Sequence, residues 1–204
     1  MVIIVVAVEE VSMLTVSRPA AVAAGAVLAA QAITAVPAAA APVGCGFGRG
    51  GPFDSTICWL DMSGFDQRRA EGGGGQPMTV RITSTYSISF VVKVRPGPNG
   101  VRRLEPTAFP TYTGTPVGNA YYVGAPGRPA LYQQVGTAYG DQGTVVLDDI
   151  KVTGPAGQPL DGYGFVAADA ETTNRDEALV FSSDKPLKGG SSSRRATPSP
   201  ARPS

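Results

Sequence analysis

From Met78 onward the chain alternates apolar and polar side chains with a period of two. Met78, Val80 and Ile82 fall on one face, with Thr79, Arg81 and Thr83 on the other. Tyr86, Ile88, Phe90, Val92 and Val94 then alternate with Ser87, Ser89, Lys93 and Arg95, and Val91 is the exception. This spacing predicts half-buried antiparallel strand. Further strands are expected at Thr56–Asp61, Tyr121–Val123, Ala130–Val135, Thr144–Val152, Tyr163–Ala168 and Ala178–Ser182. Gly- and Pro-rich turns separate them, among them Gly72 to Gly75, Pro96 to Gly100, Gly124 to Pro129 and Gly154 to Pro159. The body shows no convincing 3.6-residue period. Seven or more strands with regular turns predict an all-β fold, an antiparallel two-sheet β-sandwich over residues 42–188.

The two ends read differently. Ala20–Val36 is an apolar run broken only by Gln31 and Thr34, with Arg18 before it and small residues after it. A basic residue, an apolar core and an A-x-A-like end predict a signal helix within a leader over residues 1–41, cleaved after Ala39 or Ala41. The run is rich in alanine and short for a comfortable membrane span. Glu9 and Glu10 lie where a leader wants positive charge, so Met13 is the expected start. Residues 189–204 are Gly, Ser, Pro and Arg with little else, a composition that predicts a disordered tail.

Composition narrows the chemistry. Gly 26 and Pro 18 in 204 residues, against 16% charged residues, disfavour a helical bundle. Histidine is absent, which excludes His-based triads and His metal ligands. A net charge of +1 offers no field for nucleic acid. Cys45 and Cys58 enclose a short Gly-rich loop. In an exported chain the two thiols are expected to oxidise to a disulfide, and a thiolate role would need neighbours that the sequence does not offer. The stretch Gly46–Gly51 superficially resembles a phosphate loop, yet it lacks the lysine and the following helix.

Three acidic groups compete for a functional role. Asp148 and Asp149 are adjacent on an expected strand and should point to opposite faces. Asp61 and Asp66 flank a Ser–Gly turn that explains them without chemistry. The segment Asp169–Glu177 places Asp169, Glu171, Asn174, Asp176 and Glu177 between two expected strands. Such an oxygen-rich loop suits sugar hydroxyls, a plain solvated loop, or Ca²⁺ at Asp169, Glu171 and Asn174. Its spacing does not follow the EF-hand pattern. Tyr112, Asn119, Tyr121 and Tyr122 form a second polar–aromatic group, fit for sugar rings or for a protein hot spot, or else for the core. No cofactor is expected.

The stretch Ser55–Phe65 (STICWLDMSGF) resembles the opening of the non-repetitive adhesin domain of CshA-type surface proteins. Gly118–Tyr122, Gly127–Gln133, Val145–Gly154 and Gly162–Asn174 agree in order and spacing, so the resemblance spans roughly Val43 to Leu187. It implies a lectin-like sandwich in a secreted surface protein that attaches to host or cell-surface glycoproteins or glycans without catalysis. Such proteins usually continue into repeats and a wall-sorting signal. Residues 189–204 carry no such signal, so covalent wall attachment is not expected of this chain. The resulting expectation is a secreted, monomeric, non-enzymatic binding module. A carbohydrate-active enzyme on the same architecture and a spacer domain are the alternatives.

Overall fold

The computed structural model describes residues 44–97, 103–133, 143–171 and 180–186 in full, and residues 3–9 as backbone. The expected signal helix at Ala20–Val36 and the tail 189–204 lie outside the described residues. The fold is mostly β, with antiparallel pairing throughout the named strands.

One sheet has four strands in the order β4 (Gln76–Arg81), β5 (Ser87–Pro96), β8 (Gly143–Thr153) and β9 (Pro159–Leu160). The period-two stretch builds its centre. Ile88, Phe90, Val92 and Val94 of β5 are buried while Ser87, Ser89, Val91 and Lys93 are half-buried and Arg95 is exposed, which is the alternation the sequence predicts. Each such side chain contributes about 1.5–3 kcal/mol when fully removed from water. β4 and β5 form a hairpin, with Thr83 Oγ1 accepting from the Thr85 and Tyr86 amides in the turn.

The other sheet has six strands: β2 (Cys45–Phe47), β3 (Ile57–Leu60), β1 (Ile3–Glu9), β7 (Ala130–Gln133) and β6 (Leu104–Thr107) in that order, with β10 (Gly164–Ala168) also paired to β1. Both faces of this sheet are covered. Cys58 and Leu60 of β3, Leu131 of β7 and Phe165 of β10 join Val80, Ile88, Phe90, Val92 and Val152 of the four-stranded sheet in one apolar cluster. Ile57, Trp59, Ala130, Tyr132 and Val166 alternate with them and belong to a second cluster on the opposite side. Period two therefore sorts β3 between two cores, which is why all four of its residues are buried.

The disulfide is present. Cys45 and Cys58 are bonded with their Cα atoms 5.5 Å apart, linking β2 to β3. The two aspartates of the Ser–Gly turn have the structural roles expected of them. Asp61 Oδ1 accepts from the Ser63 amide and hydroxyl and from the Arg128 amide. Asp66 caps the one-turn helix α1 (Gln67–Glu71), accepting from the Arg68 and Arg69 amides.

Four sequence expectations change. The segment Tyr121–Val123 is a loop, and Tyr122 takes φ +56°, a left-handed conformation outside the extended region of a regular strand. Residues 180–182 of the expected strand Ala178–Ser182 form no strand, and Ala178 and Leu179 lie outside the described residues. Asp148 and Asp149 are both exposed instead of facing opposite ways, because the β5–β8 register shifts between Ser89 and Val91 and Asp149 takes φ +52°. Lastly, Ile3–Glu9, where no strand was expected, forms β1 at the centre of the six-stranded sheet. Among the described residues no helix is long and apolar enough to cross a membrane.

Candidate functional site

A layer of loops covers the outer face of the six-stranded sheet, and its anchor is Trp59. Tyr122 packs edge-on against Trp59 at 4.8 Å between ring centroids, and Phe109 does so at 5.3 Å. Tyr122 is 8% exposed and Trp59 is 1% exposed, so these rings fasten the loop over residues 109–127 to β3. Burial pushes the Tyr122 hydroxyl above its usual range against a backbone hydrogen bond from Phe53, and the charge of Asp54 adds to the rise. Tyr122 thus belongs to the core, while the exposed Tyr112 and Tyr121 carry the polar–aromatic surface that the sequence suggested.

The loop is fixed from within. Thr115, buried, donates its hydroxyl to the Tyr112 and Val117 carbonyls. The Asn119 amide donates to the Tyr112 and Thr115 carbonyls at 3.2 and 2.8 Å. Asn119 is exposed, but its amide nitrogen is engaged in holding this loop.

The glycine-rich stretch lies along the same layer. Arg49 and Val123 exchange backbone hydrogen bonds of 3.0 and 2.8 Å. A Cβ at Gly48 would collide with the Tyr122 backbone, and one at Gly51 with the Tyr122 ring. The glycines therefore permit close approach to a buried ring, and nothing in their setting forms a phosphate cradle. Phe47 (47% exposed), Phe53 (52%) and Val123 (36%) remain at the surface of these segments. Sequence reasoning passed over these three. The available signal was large apolar residues set among glycines and outside any alternating pattern.

The acidic segment adjoins the layer at its start. Thr111 Oγ1 donates to the Ala170 carbonyl at 2.5 Å, and Ala170 is fully buried in the cluster around Trp59. Asp169 Oδ1 accepts from the Glu171 amide. Burial, and after it the charge of Glu171, raises the Tyr132 hydroxyl above its usual range. Asp169 and Glu171 are thus brought beside the loop carrying Tyr112. Asn174, Asp176 and Glu177 lie outside the described residues, as does that part of the Ca²⁺ set. Among the described residues no group of three acidic or sulfur side chains is placed to hold a metal ion.

A shallow depression of about 340 Å³ sits at the β4–β5 hairpin, lined by residues that include Thr79, Arg81, Thr83 and Tyr86. It contains no carboxylate and none of the expected site residues.

The family model of the surface adhesin CshA non-repetitive domain 2 matches residues 55–186. The match opens at Ser55, just ahead of the strand carrying Trp59, and takes in the loop over residues 109–127 and the acidic segment Asp169–Glu177, while the glycine-rich stretch with Phe53 precedes it. No curated protein and no solved structure matches the chain.

Proposed function

The chain belongs to the CshA non-repetitive domain 2 family of surface adhesins, and from that premise we propose that it is a secreted, non-enzymatic adhesion module with a lectin-like two-sheet sandwich. Its ligand is an extracellular glycoprotein or glycan, received on the loop layer over Trp59. The observation that carries this reading is the set of exposed aromatic side chains, Phe53, Tyr112 and Tyr121, on loops fastened to a rigid sheet. Flat apolar faces on a preorganised support stack on sugar rings or serve as anchors for a protein partner. Asp169 and Glu171 supply acceptors for hydroxyls beside them. A surface-adhesin family also implies an extracellular or cell-surface location.

The test is a glycan array and a panel of immobilised matrix glycoproteins, probed with the full chain and with Tyr121→Ala, Phe53→Ala and Glu171→Ala. Binding that weakens by about 1–3 kcal/mol, roughly 5- to 150-fold, at an unchanged melting temperature supports the site. Retention of full binding by all three folded variants would remove the loop layer as the ligand surface.

A further inference from the structure

The six-stranded sheet is assembled around a strand that the family match does not include. β1 (Ile3–Glu9) pairs with β10 along one edge, Val5 to Glu9 opposite Ala168 to Gly164. Along its other edge it meets two strands in succession, β3 through Ala7 to Glu9 and β7 through Ile3 to Val5. β3 and β7 lie in line there, and the Met62 amide donates to the Arg128 carbonyl where they meet. Without β1, the remaining pairings in this sheet are β2 with β3 and β6 with β7, and β10 keeps no strand partner among the described residues. The matched region, residues 55–186, holds β3, β7 and β10 but not the strand that joins them.

We propose that the gap between β10 and the in-line pair β3 and β7 is a strand-acceptor site, and that Ile3–Glu9 of the same chain docks in it through pairing rather than through its covalent connection. The composition of the segment fits the position. Ile3–Val8 (IIVVAV) is a continuous apolar run, β-branched except at Ala7 and without alternation, the pattern of a strand covered on both faces, and its neighbours β3 and β7 each divide their side chains between two cores. Pairing along both edges supplies the main-chain hydrogen bonds by which an added strand gains affinity. Residues 10–44 separate the strand from β2, so Ile3–Glu9 is remote in sequence from all three of its partners. The inference concerns the assembly of the sheet and stands independently of any adhesive ligand.

The test keeps the full chain and replaces residues 34–40 with a site for a specific protease, cut after folding. The N-terminal fragment should remain with the body through size-exclusion chromatography and native mass spectrometry, as a one-to-one complex of monomer mass, and should leave only in denaturant. A fragment that elutes by itself while the body stays folded overturns the proposal, and so does a complex of doubled mass, which would mean exchange between copies. In a second arm, Ala7→Pro removes a ladder donor from a strand paired on both edges. Its melting temperature should fall by about 10 °C on the usual scaling for a domain of this size, and a synthetic Ile3–Glu9 peptide should restore it. Ala7→Val should leave it in place. No fall with Ala7→Pro, or a folded Ala7→Pro chain that the peptide does not stabilise, would also overturn the proposal.

Discussion

At the scale of single residues, Asp61 ties together more of the chain than any other carboxylate whose hydrogen bonds are described. Burial works to raise its pKa, but hydrogen bonds from the Ser63 hydroxyl and the Arg128 and Ser63 amides, with the Arg128 charge, outweigh it and hold the group below 3.8. A lowered carboxylate stabilises the fold above its unfolded value and loses that contribution as pH falls through the folded one. Asp61→Ala should therefore cost about 1–3 kcal/mol at neutral pH, measured by urea denaturation. The difference from wild type should shrink as pH drops below 3.8, and a difference that stays constant down to pH 2 would show that the charge is not what matters. Gly48 makes the complementary case of a residue needed for lacking a side chain. Gly48→Ala forces the glycine-rich segment off Tyr122, and a loss of about 1–3 kcal/mol is expected. Loss of the near-ultraviolet circular dichroism of the Trp59–Tyr122 pair should accompany it, and an unchanged spectrum with full stability would contradict the close approach.

At the scale of elements, the disulfide and the strand pattern behave differently as signals. Reducing Cys45–Cys58 releases a loop of sequence separation 13, with an expected loss of about 3 kcal/mol from loop-closure entropy. The paired Cys45→Ser and Cys58→Ser variant, unfolded in guanidinium, checks this value, and equal midpoints for variant and parent would show that β2 needs no tether. The bond was foreseeable because two cysteines that close a short glycine-rich loop, with no histidine in the chain to activate a thiolate, have few other fates. β5 was legible because each of its faces meets a different medium, one the core and the other water. β1 was not, since a strand between doubly covered neighbours has no polar face to alternate with, and its apolar run merges into leader-like sequence. β6 escaped notice because Pro106 sits inside it, a position tolerated on this edge strand. The loop at Tyr122 misled for another reason. Its aromatic pattern suits a strand, while its left-handed backbone is imposed by packing on Trp59, a contact between residues far apart in sequence. The candidate site was legible to the same degree: Tyr112 and Tyr121 were readable as amphipathic aromatics, but that Tyr122 turns inward and Phe53 outward is decided by tertiary contacts.

At the scale of the whole molecule, the two sheets share one apolar cluster, and this makes them a single thermodynamic unit. Phe90, 2% exposed at the centre of the four-stranded sheet, lies in the same cluster as Leu60 and Leu131 of the six-stranded one. Phe90→Ala removes buried ring area and leaves a cavity between the sheets, at an expected cost of about 3–5 kcal/mol. Since the cluster spans both layers, the cost should appear equally in the protection of amides in β5 and in β7, although no backbone hydrogen bond joins those strands. Native-state hydrogen exchange on wild type and Phe90→Ala measures this directly. Amides of Ile88 and Leu131 should lose protection together, by the same free energy that urea denaturation reports. If Ile88 weakens while Leu131 keeps its wild-type protection, then the second cluster around Trp59, together with β1, holds the six-stranded sheet independently, and the molecule unfolds as two units rather than one.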